Sequence, residues 1–553
     1  MQPNNFSLKA QVVNIFNQTT SPAEIKVVNG FIESIQPISE AEITTPGFVL
    51  PGFVDSHVHI ESSMLIPSEF ARIAVLHGTV GTVSDPHEIA NVCGKEGVEF
   101  MIENGNKVPF KFNFGAPSCV PATIFETAGA AINSDDVAAL LQRKEIRYLS
   151  EMMNFPGVLN KDPEVMKKIA AAHLAGKPID GHAPGLRGAM AKDYIEAGIS
   201  TDHECFTIEE ALDKLAHGMK IIIREGSAAK NFEALIDLVE DHPKMILFCS
   251  DDKHPDSLVE GHINQLCARA VAKGINVFNV LKAACINPVI HYQLDIGLLR
   301  VGDHADFIVV NNLQDFHVQQ TYINGQALLN NGKSIIQSVN CSPINQFNCL
   351  PINASMLALP IANYTATDNL IPVIEALDGQ LITNKIFLKG KVDNACWVAD
   401  TNEDVLKMVV VNRYNSAPIA KCFIKNFGFK NGAIASTVAH DSHNIVAVGV
   451  TDDALTEAIN CVIEAQGGVS CVDGAGLFKV LPLPIAGLMS AADGFEVANQ
   501  YTAIDAMAKS LGSKLSAPFM TLSFMALLVI PHLKLSDKGL FDGDSFSFNA
   551  DTQ

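Results

Sequence analysis

Two histidines two residues apart, His57 and His59 in PGFVDSHVHIE, stand at the carboxyl end of an apolar run beginning at Phe53. On a strand, side chains at i and i+2 leave the same face, so both imidazoles converge and can chelate a divalent cation. Further candidate ligands recur at the ends of later apolar runs. They are Asp85 and His87 in SDPHE, Glu151 in YLSEMMNFPG, His182 in DGHAPG, His203 in TDHE, and Asp251 and Asp252 in FCSDD. Singly, each is as readily a capping carboxylate or a turn histidine. Together, four histidines with at least two carboxylates form a ligand set for two divalent ions sharing a bridging oxygen.

The segments that carry these residues form a pattern. Eight runs read as strands: Phe53–Ile60, Thr79–Asp85, Lys111–Ala116, Arg147–Met153, Pro178–His182, Ile199–Cys205, Lys220–Glu225 and Met245–Asp251. Their spacing leaves room for one helix and its loops between each pair, which predicts a (β/α)8 TIM barrel. Catalytic side chains of such barrels gather at the carboxyl ends of the strands. Helices are expected at Asn160–Ala175, Leu258–Lys273 and Val277–Cys285.

On either side the chain reads as strands. Glu24–Val28, Asn29-Gly30 and Phe31–Ile35 make a hairpin signal, and Asp306–Val310 and Gln320–Ile323 follow the barrel. The two flanks are therefore expected to join in one small β domain of residues 1–50 plus 293–345 around a barrel of residues 51–292. From 346 to 553, strand-like Asp404–Val411 and Asn444–Val450 and helical Asp453–Gln466 predict an additional C-terminal α/β domain.

Composition narrows the partners. The 553 residues are 48% hydrophobic, with a formal net charge of −21, which argues against nucleic acid and anionic membranes. The amino terminus shows no secretory signal, and the apolar Phe519–Ile530 run is too short to span a bilayer and reads as a buried helix. The 12 cysteines include no C-x-x-C pair, which fits reduced thiols in a cytoplasmic protein and excludes the zinc pattern of cytidine-type deaminases.

VDSHVH, Glu151, the single histidines at strands five and six, the aspartate after strand eight, AACINP and GLLRVGDHADFIVV resemble the amidohydrolase superfamily across about residues 20–340. The pieces HIESSM, SDPHEIANV, GHAPGL, FCSDDKHP, GAIASTVAHDSHN, LPLPIAGLMS and LSDKGLFDG are similar to those of bacterial adenine deaminases, nearly to the end of the chain. Where hydantoinase-like members carry a carboxylated lysine, this chain has Glu151.

That resemblance implies hydrolytic deamination of adenine to hypoxanthine and ammonia in purine salvage. It implies a two-metal centre of Mn²⁺ or Fe²⁺, with Zn²⁺ permitted, held by His57, His59, Glu151, His182, His203 and Asp251 with Glu151 as the bridge. Asp251 is the expected proton shuttle. His87 is expected at the reacting purine edge or, as the alternative, in support of the metal ligands, with Glu88, Asp85 and Asp252 on the same rim. Arg187 and Arg224 either read the purine or form ion pairs. His440, Asp441 and His443 are either a further metal or lid site or ordinary loop residues. The resemblance also implies a homodimer or larger assembly. Rival readings are an N-acyl sugar deacetylase, another aminopurine deaminase, or a non-catalytic barrel that binds a partner.

Overall fold

The computed structural model describes residues 5–330, 332–361 and 370–548. Eight parallel strands follow one another: β1 (Phe53–Val58), β2 (Thr79–Ser84), β3 (Lys111–Ala116), β4 (Ile146–Met152), β5 (Ile179–Gly181), β6 (Thr201–Asp202), β7 (Lys220–Arg224) and β8 (Ile246–Cys249). β1 to β5 pair in order as one sheet and β6 to β8 as another. An Ile179–Ile199 bridge joins β5 to β6, and a parallel Val58–Asp251 bridge joins β8 to β1 and closes the barrel. Most of these strands are covered on both faces, as their apolar runs require.

The connecting helices follow local signals with some corrections. The expected Asn160–Ala175 helix begins at Pro163, because the Asp162 side chain caps the Glu164 and Val165 amides, and it ends at Gly176 with φ +66°. The expected Leu258–Lys273 helix is two helices, Pro255–Glu260 and Ile263–Ala272, separated at Gly261. Val277–Cys285 is helical, with a wide π turn from Lys282 that runs into a further helix, Asn287–Tyr292.

The flanks of the barrel meet in a seven-stranded sheet. Phe48–Pro51 pairs antiparallel with Phe307–Val310, far away in sequence. The Thr19–Val28 and Phe31–Pro37 hairpin turns at Asn29 and Gly30, both at positive φ as a tight primed turn demands. A side chain on Gly30 would meet the Asn324 carbonyl at 2.6 Å, so the hairpin turn can lie against the second flank only with glycine there.

The C-terminal region has an eight-stranded sheet containing Val405–Val411 and Ile445–Gly449, with the Asp452–Glu464 helix packed on its inner strands. The apolar run expected as a helix over Phe519–Ile530 is helical only over Pro518–Phe524, and is buried. Among the described residues no helix is long and apolar enough to cross a membrane.

One buried ion cluster fixes two strand ends. Lys214, on the Ile208–Ala216 helix, donates to Asp202 at 2.5 Å, to Glu210 at 2.9 Å and to the Ala183 carbonyl at 2.8 Å. It thereby ties the end of β6 to the residue after His182. Lys214→Met leaves the Asp202 carboxylate buried and unpaired, at an expected cost of about 3–5 kcal/mol. Denaturant unfolding should show this, with partial recovery when Asp202→Asn is added.

Candidate metal centre and catalytic cleft

The strand ends bring the predicted ligands to one point. His57 and His59 project from the end of β1 with their Nε2 atoms 3.2 Å apart. Asp251 follows β8, and its Oδ1 lies 3.4 Å from both nitrogens. The Asp251 backbone amide donates to the His57 carbonyl and the His59 amide to the Asp251 carbonyl, so these two strand ends are laced together. Asp251 has φ +53°, a left-handed conformation that a short polar side chain tolerates and that is common at functional sites.

On the far side stand His182, after β5, and His203, after β6. The His182 amide donates to the Tyr194 hydroxyl, which donates to the Met152 carbonyl, and this pins the end of β5 to the end of β4. Asn231 donates to the carbonyls of His203 and Cys205 and holds the turn after β6. Glu151, near the end of β4, reaches both sets. Its Oε1 is 3.4 Å from His59 Nε2, and its Oε2 is 2.8 Å from His182 Nδ1 and 3.1 Å from His203 Nε2.

These residues fit a divalent metal centre. Atoms bound to one ion at about 2.0–2.2 Å lie roughly 3.0–3.5 Å from each other in tetrahedral or octahedral arrangement, which is the separation seen here. The His59 Nδ1–H points to the Asp85 carbonyl at 3.3 Å, which leaves the Nε2 lone pair facing the cluster. The cleft is also lined by six carboxylates (Glu88, Glu151, Glu204, Asp251, Asp252 and Asp441) against one guanidinium, Arg224. Buried charges of one sign in that excess call for bound cations.

Arg224 sits in the wall of the cleft. It pairs with both oxygens of Glu204 and donates to Asp251 Oδ2 at 2.7 Å. Burial pushes the Glu204 carboxyl up, but Arg224 and His182 more than offset this and hold it at about 2. Burial likewise opposes ionisation of Asp251, and Arg224 with His57 and His59 keeps it well below the carboxylate range. Around Glu151, His182 and the other imidazoles overcome burial in the same way.

His87 opens the helix after β2. Its Nδ1 is 3.1 Å from Asp85 Oδ2 and 3.4 Å from Glu151 Oε1. Asp85 is buried against His87 and accepts from the His87 backbone amide. Asp252 accepts from Ser62 at 2.6 Å and faces His440.

Arg187 stands apart from the cluster. The loop after His182 carries it outward, where it forms an exposed pair with Asp213 at 2.8 Å, the ion-pair alternative. His440, Asp441 and His443, for which ordinary loop residues were the alternative, are buried in the cleft wall at 2%, 3% and 0% exposure. Glu88 accepts from His440 Nδ1 and from His443 Nε2.

Sequence reasoning passed over Glu204, which lies 3.3 Å from His203 Nε2. Strand alternation would send it away from His203, but β6 ends at Asp202 and the chain turns there. The dipeptide His203-Glu204 at a strand end was the available signal. The apolar walls Met153, Leu381 and Leu527 gave none.

Comparison with known proteins agrees with this layout. The amidohydrolase family model matches residues 48–328, and the adenine deaminase C-terminal domain model matches residues 380–547. The adenine deaminase of Salinibacter ruber is 53% identical over 549 residues, 99% of each chain. That of a Sulfurovum species is 54% identical over 98% of each chain, and that of Methanosarcina acetivorans is 51% identical over 97% of this chain and 98% of its own. With such identity along the whole length, and with both the barrel and the C-terminal region matched, this chain belongs to the adenine deaminase family of amidohydrolases.

Proposed function

We propose that the chain hydrolyses adenine at C6, consuming water and yielding hypoxanthine and ammonia. The observation that carries this reading is the full-length likeness to adenine deaminases. In this reading His57, His59, Glu151, His182, His203 and Asp251 would hold two divalent ions, with Glu151 lying between the two histidine sets. Mn²⁺ or Fe²⁺ is preferred over Zn²⁺. When bound, such ions act as Lewis acids that bring the pKa of water toward neutrality.

The protein's own groups do the rest. Asp251, ionised at neutral pH, takes the proton of the attacking water and returns it to the purine ring or the departing ammonia. Arg224 keeps that carboxylate in place, and His87, beside Asp85, faces the reacting edge. Met153, Leu381 and Leu527 offer apolar surface to the faces of a flat base and exclude water.

Catalysis needs both the barrel and the C-terminal region in this account, since Leu381, His440, Asp441 and Leu527 all come from beyond residue 380. The division at residues 50, 292 and 345 goes with it. So does a cytoplasmic homodimer or larger assembly, in keeping with the exposed Leu477 and Phe478.

The test is purified full-length protein with defined metals. With Mn²⁺ or Fe²⁺, adenine absorbance should shift to that of hypoxanthine. Chelation should abolish turnover and lower the thermal midpoint, because a ligand bound only to the folded state stabilises it, and added Mn²⁺ should restore both. Turnover of an acetylated sugar with none of adenine would contradict the proposal.

A further inference from the structure

The loop of residues 437–444 reaches into the barrel mouth and is held there firmly. Tyr414 donates to the Ser442 carbonyl at 2.6 Å, and Arg413 to the His443 carbonyl at 3.3 Å. At its tip Asp441 is 3% exposed, and its Oδ2 has no hydrogen-bond partner among the described residues. A buried carboxylate oxygen without a donor is costly, and since Asp441 lines the cleft, a ligand N–H there would satisfy it.

Its position relative to the metal centre matters. Asp441 lies across the His87 imidazole from that centre, with His87 Nδ1 3.4 Å from Glu151 Oε1 and Nε2 3.7 Å from Asp441 Oδ1. One imidazole width plus a contact at each end is commensurate with a purine measured from C6 to the far edge of its five-membered ring. The free base carries an N–H on that ring, which a 9-substituted purine lacks.

Resting on the adenine reading above, we propose that Asp441 accepts the imidazole-ring N–H of adenine and so selects the free base over 9-substituted purines. A site built to hydrogen-bond a substrate N–H discriminates strongly against analogues without it, because its own buried polar group is then left unpaired.

The experiment uses the full-length, Mn²⁺-loaded protein and its Asp441→Ala variant, which has no side-chain acceptor, with adenine as substrate and 9-methyladenine as inhibitor. In the unaltered protein the Ki of 9-methyladenine should exceed the KM for adenine by at least about 100-fold. In Asp441→Ala the KM for adenine should rise toward that Ki, while the Ki itself stays within about 3-fold and bound metal per chain is unchanged. Comparable affinity for the two bases in the unaltered protein, which requires no variant to fold, would overturn the proposal. So would an equal loss for both bases in the variant. Loss of metal in step with activity would assign Asp441 to cation binding, since His87, Glu88 and Asp441 also lie close together. An unaltered protein that binds adenine and spares 9-methyladenine without deaminating would sink the activity and leave the recognition standing.

Discussion

Glu151→Gln is expected to lower turnover and metal occupancy together, with kcat/KM for adenine falling at least about 10³-fold. Glu151 faces both histidine sets, with separate oxygens 3.4 Å from His59 and 2.8 Å and 3.1 Å from His182 and His203. The amide keeps the shape but removes the charge, and it presents an NH₂ where one cation would approach. Metal analysis of the purified variant, beside circular dichroism to verify the fold, is the check. A variant with a full metal complement and normal rate would mean that Glu151 bridges nothing.

Asp251→Asn should act differently. Asparagine tolerates the left-handed backbone that Asp251 adopts, so the substitution isolates the charge from the local geometry. Loss of general acid–base transfer should lower kcat by about 10²–10⁴-fold. His57 and His59 remain in place, so metal loss should be smaller than in Glu151→Gln. Equal metal loss in the two variants would show that Asp251 is chiefly a ligand, and a kcat near that of the unaltered protein would remove it from proton transfer.

The barrel was legible because parallel strands buried on both faces are written as apolar runs; seven of the eight lie within the ranges read from the sequence, and the fourth begins one residue earlier, at Ile146. Their ends were legible for the same reason, since a polar residue directly after such a run marks the rim. Local breaks were less so: nothing in the periodicity of residues 258–273 separates two helices at Gly261. What the sequence could not display is contact across distance. His440 and His443 grip Glu88 from more than 350 positions away, and no spacing rule links them. Arg187 could be read either way, since it follows a barrel strand like the rim residues, and only the structure shows its loop turning it outward to Asp213.

Anomalous diffraction from crystals grown with Mn²⁺ addresses the central claim most directly. Two peaks are predicted, one among His57, His59 and Asp251 and the other beside His182 and His203, with Glu151 between them. Scattering elsewhere in the chain, with none at these five strand ends, would contradict it.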